Sequence, residues 1–240
     1  MKQVIVIPAR MQSSRLPGKP LIEIYGKTVL QRTWEHCIEA FPENRVYVAT
    51  DDSHIQEHCN LIGMNCVMTS KDCLTGTDRV AEVARKVQAD TYINVQGDEP
   101  LINPQDIITV GKAADKYPDE IINGYGLITN DNQFKSLNIP KVVLRPDGRL
   151  LYMSRAPIPG NKSGDFLTAY RQICIYAFPA ESLNKFTKQK TKTPLEKIED
   201  IEILRFLELG FDVRMVELST KSISVDTPED VDKVKRVLKK

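Results

Sequence analysis

Between Arg10 and Pro20 the chain reads RMQSSRLPGKP, which places Arg10, Arg15 and Lys19, two hydroxyls, a glycine and two prolines directly after the apolar run VIVIPA. Fixed cations beside the backbone amides of a strand-to-helix loop neutralise phosphate, so these residues suit a polyphosphate such as a nucleoside triphosphate. Ser13 and Ser14 add hydrogen-bonding hydroxyls. The Gly18-Lys19 pair is not a P-loop. Pro20 stands where that motif needs a magnesium-binding hydroxyl, and Ser13 stands where it needs glycine.

A second stretch, NVQGDEPLI (Asn94–Ile102), ends a β-branched run with Gln96, Gly97, Asp98, Glu99 and Pro100. Asp98 then falls at a strand's carboxyl end, where a carboxylate suits magnesium, a hard ion held by one or two carboxylates together with substrate phosphates. The alternative is a capping acid ahead of Pro100. Asp226, in SVDTPED, precedes the final helix and is open to the same two readings: a cap residue, or a second carboxylate for the same metal. His54 and His58 share a helix face without an acidic third ligand at helical spacing, and His36 sits beside Trp34 on an amphipathic segment. None of the three histidines falls in these loops, which argues against a histidine-based triad and for electrostatic, metal-assisted chemistry.

The elements that must position these loops are those of an α/β protein. QVIVIP, RVYVAT and DTYINV are short continuous apolar runs, the pattern of strands buried on both faces, and they alternate with helical spacing in VLQRTWEHCIEAF and RVAEVARKV. This predicts a mainly parallel, Rossmann-like sheet flanked by helices, with ligands at the carboxyl ends of its strands. KVVLRPDGRLLYMSR (Lys141–Arg155) predicts a β-hairpin turning at Pro146-Asp147-Gly148, and YRQICIYAF a further strand. PLEKIEDIEILRFLELG predicts one helix ending at Gly210, and SISVDTPEDVDKVKRVL a strand entering a helix with Thr227 as N-cap and Pro228 in its first turn. The expected organisation is a single domain over residues 1–240, with an inserted hairpin region at roughly 130–180.

Composition excludes several classes. The 240 residues carry 33 basic and 32 acidic side chains, so no global field favours nucleic acid or an anionic membrane. Five cysteines without a CxxC pair argue against a disulfide framework or zinc cage and point to a reducing compartment. The first apolar run is too short for a signal-peptide core and no run reaches membrane length, so the expectation is a soluble cytoplasmic protein. The absence of GxGxxG after the first strand sets aside an NAD-type enzyme.

IPARMQSSRLPGKPL, VATDD (Val48–Asp52), TGTDRVAEV (Thr75–Val83), INVQGDEPLI and VDTPED together resemble the 3-deoxy-manno-octulosonate (Kdo) cytidylyltransferases, the CMP-Kdo synthetases. KVVL, LYMSRAPIP, IYAF and PLEKIEDIEILRFLE follow in the family's order, so the likeness spans nearly the whole chain. The resemblance implies a nucleotidyltransferase that joins CTP to a 2-keto-3-deoxy sugar acid, releasing pyrophosphate, with magnesium as cofactor, in surface polysaccharide or lipopolysaccharide synthesis. Carried over by position, Arg10 and Lys19 would bind the triphosphate, with Ser14 and Arg15 assisting. Thr75, Gln96 and the main chain near Pro8 and Ala9 would hold the cytosine end. Asp98 and Asp226 would ligate magnesium, and Arg79, Arg155, Gln172, Tyr176 and Glu202 would face the sugar acid. Arg10, Lys19 and Asp98 form the expected catalytic set. A homodimer joined through the hairpin region is also implied.

Five positions depart from the family pattern. Cys73-Leu74-Thr75 replaces His-Gln-Ser, Gln172 replaces a histidine, and Ile203 replaces a glutamine. Most of these positions are expected to line the sugar pocket. Substrates other than Kdo therefore remain in view: a sialic-acid-like nonulosonate or an amino-substituted octulosonate. A catalytically silent nucleotide-binding homologue is the reading from another class. It gives no physical reason to keep Arg10, Lys19, Asp98 and Asp226 together.

Overall fold

The computed structural model describes residues 1–13 and 15–239. A central mixed sheet is built from β1 (Gln3–Pro8), β4 (Val46–Thr50), β5 (Cys66–Met68), β6 (Thr91–Val95), β7 (Ile121–Leu127), β10 (Tyr170–Pro179) and β11 (Val213–Glu217), in the order β11-β7-β10-β6-β1-β4-β5. β2 (Glu23–Ile24) and β3 (Lys27–Thr28) form a separate small ladder, and β8 (Lys141–Leu144) and β9 (Leu150–Ser154) the hairpin that leans on β10. The expected parallel core is present: β1 pairs in parallel with both β4 and β6. β10 is the reversed strand, antiparallel to β6 and β7.

The continuous apolar run of β1 follows from its position. Val4 and Val6 join one cluster with Val80, Phe178 and Phe206, while Ile5 and Ile7 join another with Leu30, Trp34 and Ile107. Helices α1 (Val29–Ala40), α2 (Ser53–Ile62) and α4 (Pro104–Lys116) supply residues to the second cluster, and α3 (Gly76–Lys86), α6 (Ala180–Lys188) and α8 (Ile203–Glu208) to the first. Each such buried aliphatic side chain contributes about 1.5–3 kcal/mol, so a strand covered on both faces has no place for alternating polar residues.

The structure corrects two expectations. The segment Pro194 to Gly210 is not one helix. α7 (Pro194–Glu199) stops where Asp200 turns left-handed, φ 51°, and α8 starts at Ile203. Arg155 pins this break, its guanidinium donating to the carbonyls of Glu199 at 2.6 Å and Asp200 at 3.0 Å. Gly210, φ 82°, does end the segment as expected. Ser222–Val225 forms no strand, because it crosses the sheet's edge and spends its groups on the Asp98 loop: Val225 N–H donates to Asp98 O at 2.8 Å, and Ser222 Oγ donates to Glu99. α9 (Pro228–Leu238) follows, its first turn closed by Thr227 and Asp230 as the sequence suggests. The region at roughly 130–180, which also holds α5 (Asp131–Lys135), ends inside the central sheet, since β10 lies between β6 and β7.

Candidate active site

The carboxyl ends of β1 and β6 meet at one edge of the sheet. A Cβ on Gly97 would stand 2.9 Å from the carbonyl oxygen of Pro8, so only glycine lets these two loops touch. A third apolar cluster then brings in the distant partner. Ile24, Val29, Val225, Val231 and Val234 pack with Leu16, Leu101 and Ile223, which docks the start of α9 against both loops. Through this docking Asp226 reaches residues far away in sequence.

Lys19 Nζ sits between the two carboxylates, in contact with Asp98 Oδ2 and 3.1 Å from Asp226 Oδ1. Arg15 Nη2 is 3.0 Å from the same Asp226 oxygen. Burial disfavours the charged ammonium of Lys19, but Asp98 and then Asp226 outweigh it and raise its pKa above the usual lysine value. Beside them Glu99 is half-buried next to Asp98, and desolvation first, then that neighbouring charge, pushes its carboxyl up to about 7.

These groups stand at the seam of a two-lobed cavity. The larger lobe, about 790 Å3, is lined by Pro8, Ala9, Arg10, Lys19, Thr75 and Gln96 among others. The smaller lobe, about 300 Å3, is lined by Arg155, Gln172, Tyr176 and Asp200. Arg15, Gln96, Asp98, Glu202 and Asp226 line both. The expected nucleotide residues thus gather in one lobe and most of the expected sugar residues in the other, with the carboxylate pair between them. Ser14 lies outside the described residues.

Several of these side chains already have partners. Thr75 caps α3: its hydroxyl accepts from Asp78 N–H at 3.3 Å and donates to Asp78 Oδ2 at 2.8 Å. Glu202 sits on the same helix terminus, accepting from Gly76 N–H at 3.3 Å, Thr77 N–H at 3.0 Å and Thr77 Oγ1 at 2.6 Å. A carboxylate there completes the unpaired amides of the first turn. Gln96 lines the cavity and donates to Asn94 Oδ1 at 3.4 Å. Arg79 is tied to Asp51 at 3.0 Å and Thr69 at 2.7 Å and lines the larger lobe, apart from Arg155, Gln172 and Tyr176.

The departing positions are dispersed rather than gathered in one lobe. Gln172 alone of them lines the smaller lobe. Cys73 lines the larger one, with its thiol donating to Glu82 Oε1 at 3.4 Å and pushed up to about 12, first by burial. Leu74 is exposed, and Ile203 is buried in the core beneath the sheet. Sequence reasoning missed Glu99 and Asn123. A buried asparagine inside the apolar run of β7 was the available signal for the second.

Comparison with known proteins agrees with this architecture. Residues 4–222 match the family model described as Cytidylyltransferase. The 3-deoxy-manno-octulosonate cytidylyltransferase of Chlorobium limicola is 41% identical over 244 residues, covering 100% of this chain and 98% of that protein. The Escherichia coli enzyme of the same name is 35% identical, with 99% and 96% covered. Among solved structures, CMP:2-keto-3-deoxy-manno-octonic acid synthetase complexed with CTP superposes with a TM-score of 0.93 at 35% identity, over 100% of this chain and 99% of that one. HddC from Yersinia pseudotuberculosis, at 14% identity and a TM-score of 0.73, covered 99% and 100%, shares the fold.

Proposed function

The chain belongs to the 3-deoxy-manno-octulosonate cytidylyltransferases, and from that premise we propose that it transfers the cytidylyl group of CTP to 3-deoxy-manno-octulosonate. The anomeric hydroxyl oxygen of the sugar forms a bond to the α-phosphorus. The bond from that phosphorus to the bridging oxygen breaks, pyrophosphate leaves with the electron pair, and the hydroxyl proton passes to solvent. The observation that carries this reading is the seam: Asp98 and Asp226 line both lobes, so charge control sits where the two substrates must meet.

In this reading the larger lobe takes CTP. Arg10, Arg15 and Lys19 pair with the triphosphate, and Pro8, Ala9, Thr75 and Gln96 surround the base. Since the hydroxyl of Thr75 is committed to its helix, its contribution comes through shape and main chain. Positioning and charge neutralisation are the main resources for such transfer, because the α-phosphorus is shielded by the oxygens around it. The smaller lobe takes the sugar acid, with Arg155, Gln172 and Tyr176 around it and Glu202 at its border. Arg79, already paired with Asp51, holds the start of α3 in place rather than the sugar.

The carboxylates fit a divalent cation. Two partly exposed hard-oxygen donors converge on a single cation, the ammonium of Lys19, and a phosphate-bearing substrate lies beside them in this reading. Asp98 and Asp226 would hold magnesium, which when bound supplies positive charge to the phosphate oxygens during displacement. Lys19 then turns from the carboxylates to the phosphates. A homodimer through the β8–β9 hairpin suits Leu151 on β9, exposed at 60%. Five free thiols suit a cytoplasmic reaction feeding surface polysaccharide or lipopolysaccharide synthesis.

Pyrophosphate release with CTP and a panel of acids tests the substrate: 3-deoxy-manno-octulosonate, an amino-octulosonate and a nonulosonate. Highest kcat/KM with the first is expected. Turnover of another acid with none of the first overturns the choice of sugar.

A further inference from the structure

We propose that Gln172 is a specificity-determining residue that presents a fixed hydrogen-bond acceptor to the sugar acid, and that Asn123 is the positioning residue that fixes it. The inference rests on the assignment of the smaller lobe to the sugar. It begins at an irregularity of the sheet. Between β10 and β7 the register runs Ile173↔Gly124 and then Tyr176↔Asn123, so Cys174 and Ile175 are extra residues on the β10 side. Such bulges free backbone groups and re-aim side chains, often beside active sites.

The carbonyls freed by the bulge orient Asn123. This residue is fully buried, and its amide nitrogen donates to the carbonyls of Ile173 and Ile175, at 3.0 Å each. Both N–H bonds are then spent on oxygens that can only accept, which leaves one orientation for the amide. Asn123 Oδ1 must be the acceptor on the other side. Facing it at 3.1 Å is Gln172, which is therefore obliged to present its nitrogen, and the same nitrogen lies 3.1 Å from Tyr176 Oη. The opposite rotamer of Gln172 would set two acceptor oxygens against each other.

What remains for the ligand is set by this chain of donors. Among the described residues Gln172 Oε1 has no protein partner, and the half-buried side chain lines the smaller lobe. The Tyr176 oxygen accepts from Gln172, and its hydroxyl is engaged with the neighbouring Cys174 thiol, while burial first pushes the phenol well above its usual value. The wall thus reads a substituent that donates a hydrogen bond, a hydroxyl or a protonated amine. It disfavours hydrogen, an ether or a carbonyl at the same place. An imidazole can exchange donor and acceptor by changing tautomer, whereas the bulge carbonyls deny Gln172 that freedom.

The test is kcat/KM for CMP-sugar formation with single-position analogues of 3-deoxy-manno-octulosonate, each hydroxyl replaced in turn by hydrogen, O-methyl or amine. Wild type, Gln172→Met and Asn123→Asp are compared, with KM for CTP measured alongside. In the wild type one position should lose roughly 10- to 100-fold on replacement by hydrogen or O-methyl while keeping the hydroxyl or amine form, the better of the two naming the natural group. Gln172→Met should level that position to within about 3-fold, and Asn123→Asp should weaken the discrimination while leaving KM for CTP unchanged. Gln172 is at the pocket surface, so its variant decides the matter even if the buried Asn123 variant fails to fold. An active wild type whose discrimination survives intact in Gln172→Met overturns the inference alone. A wild type that makes no CMP-sugar from any analogue overturns the assigned reaction and the inference with it.

Discussion

Lys19 and Asp226 are separated by 207 positions in the chain, and their Nζ and Oδ1 atoms are 3.1 Å apart. The contact closes a ring of charge between the loop after β1, the loop after β6 and the entry to α9. The apolar packing of Leu16, Leu101 and Val225 beneath these loops holds that ring together.

Asp98→Asn and Asp226→Asn should each lower kcat by at least about 100-fold, since each removes a charge at the point where the triphosphate is displaced. Both carboxylates are partly exposed, at 24% and 35%, so thermal unfolding should stay near that of the wild type. Turnover measured against magnesium concentration checks this. Near-normal kcat at saturating magnesium would remove the mutated residue from the metal site.

Lys19→Ala should raise KM for CTP and lower kcat, together costing roughly 10- to 1000-fold in kcat/KM, because the lost charge matters most as pyrophosphate departs. The same substitution leaves Asp98 and Asp226 facing one another without their shared cation. Magnesium binding without CTP, followed by calorimetry, should therefore tighten. An unchanged CTP KM and kcat would place the triphosphate elsewhere.

Glu196→Ala should destabilise the fold by about 3–5 kcal/mol, the usual cost of stranding one member of a buried ion pair. Arg205 donates to both Glu196 carboxylate oxygens at 2.6 Å, both side chains are fully buried, and the guanidinium lies 3.8 Å above the ring of Phe186. Replacing both partners by Met and Leu should cost far less than either single loss. Urea unfolding of the three variants separates these outcomes.

Acid should weaken the tie between the hairpin and the sheet edge. Burial alone would raise the pKa of Glu120, but Arg214 at 2.9 Å and Arg149 at 2.7 Å hold it below its usual value. A carboxyl lowered in the folded state stabilises above its unfolded value and loses that contribution as pH falls through the folded one. Urea midpoints between about pH 3 and 7 should fall more steeply for the wild type than for Glu120→Gln. Identical slopes would show that Glu120 is not a source of acid sensitivity.

Much of this molecule was legible in its sequence, for reasons that are local. β1, β4 and β6 declare themselves because strands covered on both faces need unbroken apolar runs, and the turn chemistry of Pro146-Asp147-Gly148 marks the hairpin. The opening loop, Asp98 and Asp226 could be named from residue type, yet their proximity depends on packing that spacing does not encode. The break at Asp200 was hidden because helical periodicity continues through it, and what enforces the break is Arg155, from a different element. The family resemblance suggests a pocket position for Ile203, but its side chain is buried in the core. Asn123 reads as an anomaly in an apolar strand until the bulge of β10 supplies the two carbonyls it satisfies.

The most direct measurement is phosphorus NMR of the purified protein with CTP, magnesium and 3-deoxy-manno-octulosonate. The expected result is loss of the three triphosphate signals with equal growth of pyrophosphate and one phosphodiester, requiring the sugar acid and disappearing with Asp98→Asn. Intact CTP in the complete mixture, or release of inorganic phosphate in place of pyrophosphate, would contradict cytidylyl transfer.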